Sequence, residues 1–97
     1  MLRQLQQMQA KMARLQEELG SMTATGTAGG GAVTVVATCH QQIQSVTIDP
    51  EALEEGAELL SDLVLAAVNA ALEQSRELAN KQMGQLTAGL NLPPGLL

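Results

Sequence analysis

Cys39 and His40 are the one cysteine and the one histidine of the chain, and they are neighbours. A thiolate–imidazole dyad needs the two side chains within hydrogen-bond reach of each other. Adjacent residues at the end of an extended run point to opposite sides. The pair therefore reads as a buried or hairpin thiol beside a surface histidine. A metal site would need acids to complete it. The acids stand elsewhere: Asp49, Glu51, Glu54, Glu55, Glu58 and Asp62 crowd residues 49–62, with no base among them. Their spacing matches no calcium loop. They read as the solvated first turns of a helix, where carboxylates complement the helix dipole. The triple glycine at 29–31 is followed by no Lys-Ser/Thr and opens no helix, so it is no phosphate loop. No catalytic residue, metal, cofactor or small-molecule substrate is expected, and the chain reads as a binding protein rather than an enzyme.

The cations have more to offer. Five bases face ten acids, for a net charge of −5. That balance argues against indiscriminate attraction to nucleic acid or anionic lipid. Three of the bases, Arg3, Lys11 and Arg14, nevertheless share the first twenty residues. On a helix they fall within an arc of about 80°, beside the apolar positions. Gln4 and Gln7 on the same side add hydrogen-bonding groups for phosphate or sugar. Arg14 also has Glu17 and Glu18 one turn ahead, which pairs part of its charge. Arg76 and Lys81 lie about 140° apart on a second helix, and Lys81 is the better exposed. Arg3, Lys11, Arg14 and Lys81 are thus the candidate contacts to the backbone of double-stranded DNA. No helix-turn-helix, zinc-finger spacing or aromatic stacking platform accompanies them, so sequence readout should be weak.

The elements that carry these residues follow from periodicity. Leu5, Met8, Met12, Leu15, Leu19 and Met22 form a narrow seam of alternating three- and four-residue spacing, the pattern of a helix that meets another helix. The spacing predicts an N-terminal helix over 1–20, stopped by Gly20 and Ser21. Residues 22–48 predict three strands in an antiparallel meander with one face covered. The first contains Gly26, the glycine triple makes the first turn, and the register breaks between Ile43 and Val46, which suggests a bulge. Asp49 and Pro50 suit a helix start, Gly56 splits off a short first turn, and a long helix should run from about 57 to 86 within a helical region 50–88. Its first half has a wide apolar face (Leu59, Leu60, Leu63, Val64, Ala67, Val68, Ala71, Leu72) fit for a sheet. Its second half narrows to Ala79, Met83, Leu86 and Leu90. Pro93 and Pro94 make 91–97 a non-helical tail.

Lengths set the architecture. A helix of about 30 residues spans roughly 45 Å and a short strand only roughly 20 Å, so the long helix must overhang the sheet. Its narrow seam and that of the first helix should meet. The chain has no Phe, Tyr or Trp and no internal staple, and association is a usual remedy for so small a domain. The expectation is one α+β domain over 1–97 that forms a C2 homodimer through a short coiled coil of Leu5, Met8, Met12, Leu15, Leu19, Met83 and Leu86. No secretory segment opens the chain and no apolar run is long enough to span a membrane, and a lone cysteine suits the cytoplasm.

Taken in order, QQMQAKMARLQEEL (6–19), TGTAGGGAVTV (25–35), VTIDPEALEE (46–55), LLSDLVLAAVNAAL (59–72) and LTAGLNLPPG (86–95) resemble the YbaB/EbfC family of bacterial nucleoid-associated proteins. The resemblance covers nearly the whole chain. It implies an α-β-β-β-α subunit, a tweezer-like homodimer, and association with DNA in the nucleoid, with a part in chromosome organisation and gene regulation. Members are not enzymes. The chain departs from the family pattern where basic residues are common: Thr34 in the second strand, Gln44 and Ser45 entering the third, and Leu96 and Leu97 in place of a basic or aromatic tail. Thr38, Cys39 and His40 stand where a hairpin Asn-Gly is common. Two functions follow, a DNA-binding nucleoid homodimer or a dimeric scaffold of the replication or repair machinery with little DNA contact.

Overall fold

The computed structural model describes residues 1–90, with side chains through residue 85. The chain folds as α1 (Leu2–Ser21), β1 (Thr23–Ala28), β2 (Val33–Thr38), β3 (Ile43–Ile48), a 3-10 turn (Pro50–Glu55) and α2 (Ala57–Leu90). This is the expected α-β-β-β-α order, with the strands in one antiparallel sheet ordered β1-β2-β3. Leu86 and Leu90 of the expected seam, and the tail 91–97, lie outside the residues whose side chains are described.

Turn chemistry explains the meander. Gly29, Gly30 and Gly31 all take positive φ, +66°, +67° and +98°, a conformation that side chains resist. At the second hairpin Thr38 takes the place of the absent Asn-Gly. Its Oγ1 accepts from the backbone N–H of His40 at 3.2 Å and of Gln42 at 3.4 Å, while Gln41 takes φ +65°. The break of register falls where the sequence suggests it. Val36 pairs with Ser45 and Ala37 with Ile43, which leaves Gln44 as the extra residue of a bulge. That bulge brings Ile43, Val46 and Ile48 to one face.

The start of α2 is built as the sequence reads. Asp49 Oδ1 accepts from the N–H of Glu51 at 3.1 Å, and Gly56 at φ +96° separates the 3-10 turn from the helix. The helix then runs to Leu90, past the expected end near 86. The first helix differs in one respect. Gly20 and Ser21 do not stop it: α1 includes both and passes straight into extended backbone at Met22. The reason is tertiary. A Cβ on Gly20 would meet the His40 ring at 3.1 Å, so the glycine is there to let the hairpin approach the helix.

The core lies between α2 and two of the three strands. Val33, Val35 and Ala37 of β2 and Ala67 and Ala71 of α2 are fully buried, with Leu60, Leu63, Val64, Val68, Leu72, Ala28 and Ile48 packed around them. Leu59, expected on this face, is exposed instead, because it stands about 120° round the helix from Ala71, near the middle of the packed face. Contact between α2 and β1 is unusually close. A Cβ on Gly26 would lie 2.2 Å from the Ala71 amide nitrogen and 2.5 Å from the Ala67 carbonyl oxygen. The sequence predicts one covered face for the whole sheet, but only β1 and β2 are covered, and β3 is exposed except at Ile48. A helix about 10 Å wide spans two strands about 4.8 Å apart, not three.

Beyond the sheet the molecule is an arm. At 34 residues α2 is roughly 51 Å long, and the molecule extends 63 × 22 × 15 Å. A second cluster holds α1 along it: Leu15, Leu19 and Cys39 are buried, with Met22, Leu78, Ala79 and Met83 packed against them. The two helical seams do meet, and they meet within one chain.

Candidate nucleic-acid interface

Hydrogen bonds at the hairpin between β2 and β3 set the angle of the arm. His40 Nε2 lies 2.8 Å from the Gln16 carbonyl oxygen, which can only accept, so this ring nitrogen carries the proton and donates. Gln41 Nε2 donates to Ser75 Oγ at 2.8 Å, and Ser75 Oγ donates in turn to the Leu72 carbonyl at 2.7 Å. Ser75 is wholly buried, and both its roles are satisfied. Arg76 Nη1 donates to Gln41 Oε1 at 3.4 Å. One hairpin thus touches both helices of the arm.

On the arm, Lys11 and Arg14 are brought together with Glu18, Leu15, Gln82 and Gln85 to line an open groove of about 290 Å³ between α1 and α2. Both cations are exposed, and so is Arg3 farther along α1. Arg14 forms no ion pair with Glu17 or Glu18 among the described residues, so its charge is more available than its spacing suggested. Lys81 is not part of this group. It lines a separate groove with Ala24, Thr25, Gln74, Glu77 and Leu78. Sequence reading missed Gln82 and Gln85, which join the two cations only because α1 lies along α2. The groove offers two cations and two amide side chains against one carboxylate, a set suited to phosphate and sugar oxygens.

Of the expected seam, Leu15 and Leu19 are buried and Met83 packs against them inside the protomer. Met8 and Met12 are half-buried and Leu5 is exposed. Cys39 is buried in the same cluster, and burial raises its thiol above the ordinary value. The raised pKa means that folding favours the neutral thiol. Its contribution to stability is present below the ordinary thiol pKa and is lost as pH climbs through the folded one. Alkylation of Cys39 at pH 8 should be at least tenfold slower in the native protein than in urea. Equal rates, read by mass spectrometry, would show the thiol to be open. Among the described residues no three His, Cys, Asp or Glu side chains come together to hold a metal, and no helix is long and apolar enough to cross a membrane.

A family model described as the YbaB/EbfC DNA-binding family matches residues 1–90. The chain belongs to the YbaB/EbfC family. Among its relatives, a nucleoid-associated protein of Pelotomaculum thermopropionicum is 51% identical over 94 residues, which is 96% of this chain and 90% of the relative. One of Desulforamulus reducens is 54% identical over the same shares. One of Pseudomonas fluorescens is 48% identical, covering 99% of this chain and 89% of the relative. The crystal structure of an uncharacterized Helicobacter pylori protein superposes with a TM-score of 0.65 at 20% identity, covering 91% of this chain and 89% of that one. At that identity the likeness speaks for the YbaB/EbfC fold alone.

Proposed function

We propose that this YbaB/EbfC member is a nucleoid-associated, DNA-binding homodimer of low sequence specificity, a binding protein and not an enzyme, at work on the chromosome in the cytoplasm. The observation that carries the reading is the groove of Lys11 and Arg14 on an arm that stands clear of the body. Arg3 extends the same face of α1, and Lys81 supplies a further contact from its own groove on α2. Two protomers would double the α1 cations to six. The contact is electrostatic and to the phosphate backbone, which carries no sequence information directly.

Salt dependence tests it. Six phosphate contacts give a slope of log affinity against log salt of about −5. Affinity for a labelled duplex, read by fluorescence anisotropy, should therefore fall by about a thousandfold between roughly 50 and 200 mM salt. The second reading, a scaffold dimer of the replication or repair machinery, is favoured by the net charge of −5 and by Glu18 inside the groove. A scaffold would show no salt-dependent binding even at low ionic strength, and that result would sink the DNA reading.

A further inference from the structure

His40 and Gln41 stand side by side at the tip of the β2–β3 hairpin and send their side chains to different helices. His40 Nε2 donates to the Gln16 carbonyl of α1 at 2.8 Å. Its ring also lies over Gly20, one turn farther along, where a Cβ would meet it at 3.1 Å. Gln41 Nε2 donates to Ser75 Oγ of α2 at 2.8 Å, and Gln41 Oε1 accepts from Arg76 Nη1 at 3.4 Å. Gln41 holds this place against the preference of its backbone. At φ +65° it is the one residue other than glycine with positive φ among the described residues. Glycine or asparagine takes that conformation more readily, but glycine has no side chain and asparagine a shorter one. An outlier of this kind points to a use beyond the turn itself.

The two fastenings fall close to the cationic groove, whose walls are α1 and α2. Along α1, Gln16 is a rise of roughly 3 Å from Arg14 and roughly 7.5 Å from Lys11. Along α2, Ser75 is roughly 10 Å from Gln82 and roughly 15 Å from Gln85. Between the walls, Leu15, Leu19, Leu78, Ala79 and Met83 supply apolar contact. Such contact is non-directional, and methionine repacks easily, so it holds the helices together without fixing how each is turned. Hydrogen bonds depend on angle as well as distance. The hairpin ties each wall at a defined atom, the Gln16 carbonyl oxygen on one side and Ser75 Oγ on the other. The hydroxyl of Ser75 already donates to the Leu72 carbonyl, so the bond from Gln41 serves the placement of the hairpin rather than an orphaned donor.

We propose that His40 and Gln41 are positioning residues for DNA. They hold α1 and α2 at the spacing and turn that set Gln82 and Gln85 across from Lys11 and Arg14. A duplex backbone then meets cations and amides together, with no cost of ordering the groove first. The two residues act through those four side chains and not by contact with DNA. The proposal rests on the DNA reading of the groove and says what keeps the groove in shape.

A double-mutant cycle in duplex affinity, read by fluorescence anisotropy on the full chain, tests this. His40→Ala with Gln41→Gly removes both ties, and glycine suits the backbone at position 41. Gln82→Ala with Gln85→Ala removes the amides that the ties position. Each pair should weaken binding about fivefold to tenfold at about 0.1 M salt. All four changes together should weaken it no more than either pair, because both pairs remove the same contacts. The salt slope should stay that of the wild type throughout, since every cation is kept. His40→Gln, whose amide nitrogen reaches about as far as Nε2, should bind as the wild type does, whereas His40→Ala should not. A hairpin that serves stability alone would lower the melting temperature and leave affinity below the melt unchanged. That result overturns the proposal, as does additivity of the two pairs or wild-type affinity in Gln82→Ala with Gln85→Ala. The DNA reading survives these outcomes, since it stands on Lys11 and Arg14. A wild type that binds no duplex at low salt overturns both. If His40→Ala fails to fold, Gln41→Gly alone enters the cycle, and additivity overturns the proposal in the same way.

Discussion

Gly26→Ala is expected to destabilise the protein by about 3 kcal/mol or more, at the severe end of overpacking substitutions. The added methyl would lie 2.2 Å from one backbone atom of α2 and 2.5 Å from another. No flexible side chain can move aside there. Either α2 lifts from the sheet or β1 bends, and each opens the packing between Val35, the residue paired with Gly26, and the buried Ala67 and Ala71. For a domain of this size such a destabilisation lowers the melting temperature by about 12–24 °C. The same substitution elsewhere calibrates the effect. A Cβ on Gly84 meets nothing within 4 Å and replaces a poor helix former, so Gly84→Ala should stabilise by about 0.5–1 kcal/mol. Thermal unfolding followed by circular dichroism compares the two directly. A Gly26→Ala protein that melts with the wild type would show that the close crossing does not hold the fold.

The second large effect falls on DNA. Lys11→Glu with Arg14→Glu is expected to lower duplex affinity on the order of a hundredfold or more at about 0.1 M salt. It should also reduce the salt slope by about 4 in a dimer, about one for each cation that no longer faces a phosphate. Both side chains are exposed on α1, and exposed positions of this kind change stability by about 0.5 kcal/mol or less. Folding and oligomeric state should therefore survive, as sedimentation and circular dichroism can verify. Lys81→Glu should do less, because Lys81 lies in another groove beside Glu77. Anisotropy curves that superpose for the wild type and the double variant would reject the Lys11–Arg14 groove as the DNA-binding surface.

Most of the fold was legible because its signals are local. The seam spacing of Leu5 to Met22 marks a helix, the glycines at 29–31 mark a turn, and Asp49-Pro50 marks a helix start. The bulge at Gln44 was readable from the broken alternation between Ile43 and Val46. Gly20 misled because it looks like a helix stop, while its real use is to admit the ring of His40, distant in sequence. The site was half legible. The basic arc of Arg3, Lys11 and Arg14 follows from helical periodicity, but Gln82 and Gln85 have no signal of their own. The availability of Arg14 was also hidden, since Glu17 and Glu18 have pairing distance in sequence and form no pair in space.

By itself, then, the sequence determined which elements form, in what order, and which faces are apolar, because periodicity, turn residues and caps act over a few neighbouring residues. Family membership followed from the same ordered stretches. Tertiary structure alone decided how far those faces reach one another. The width of one helix leaves β3 bare. The absence of a Cβ at Gly26 brings α2 onto the sheet. The hairpin at Thr38, His40 and Gln41 lays α1 along α2, so that the two seams close within a protomer. Each of these is a distance between elements, and a pattern of residue types along a chain carries angles around a helix or a strand but no distances between them.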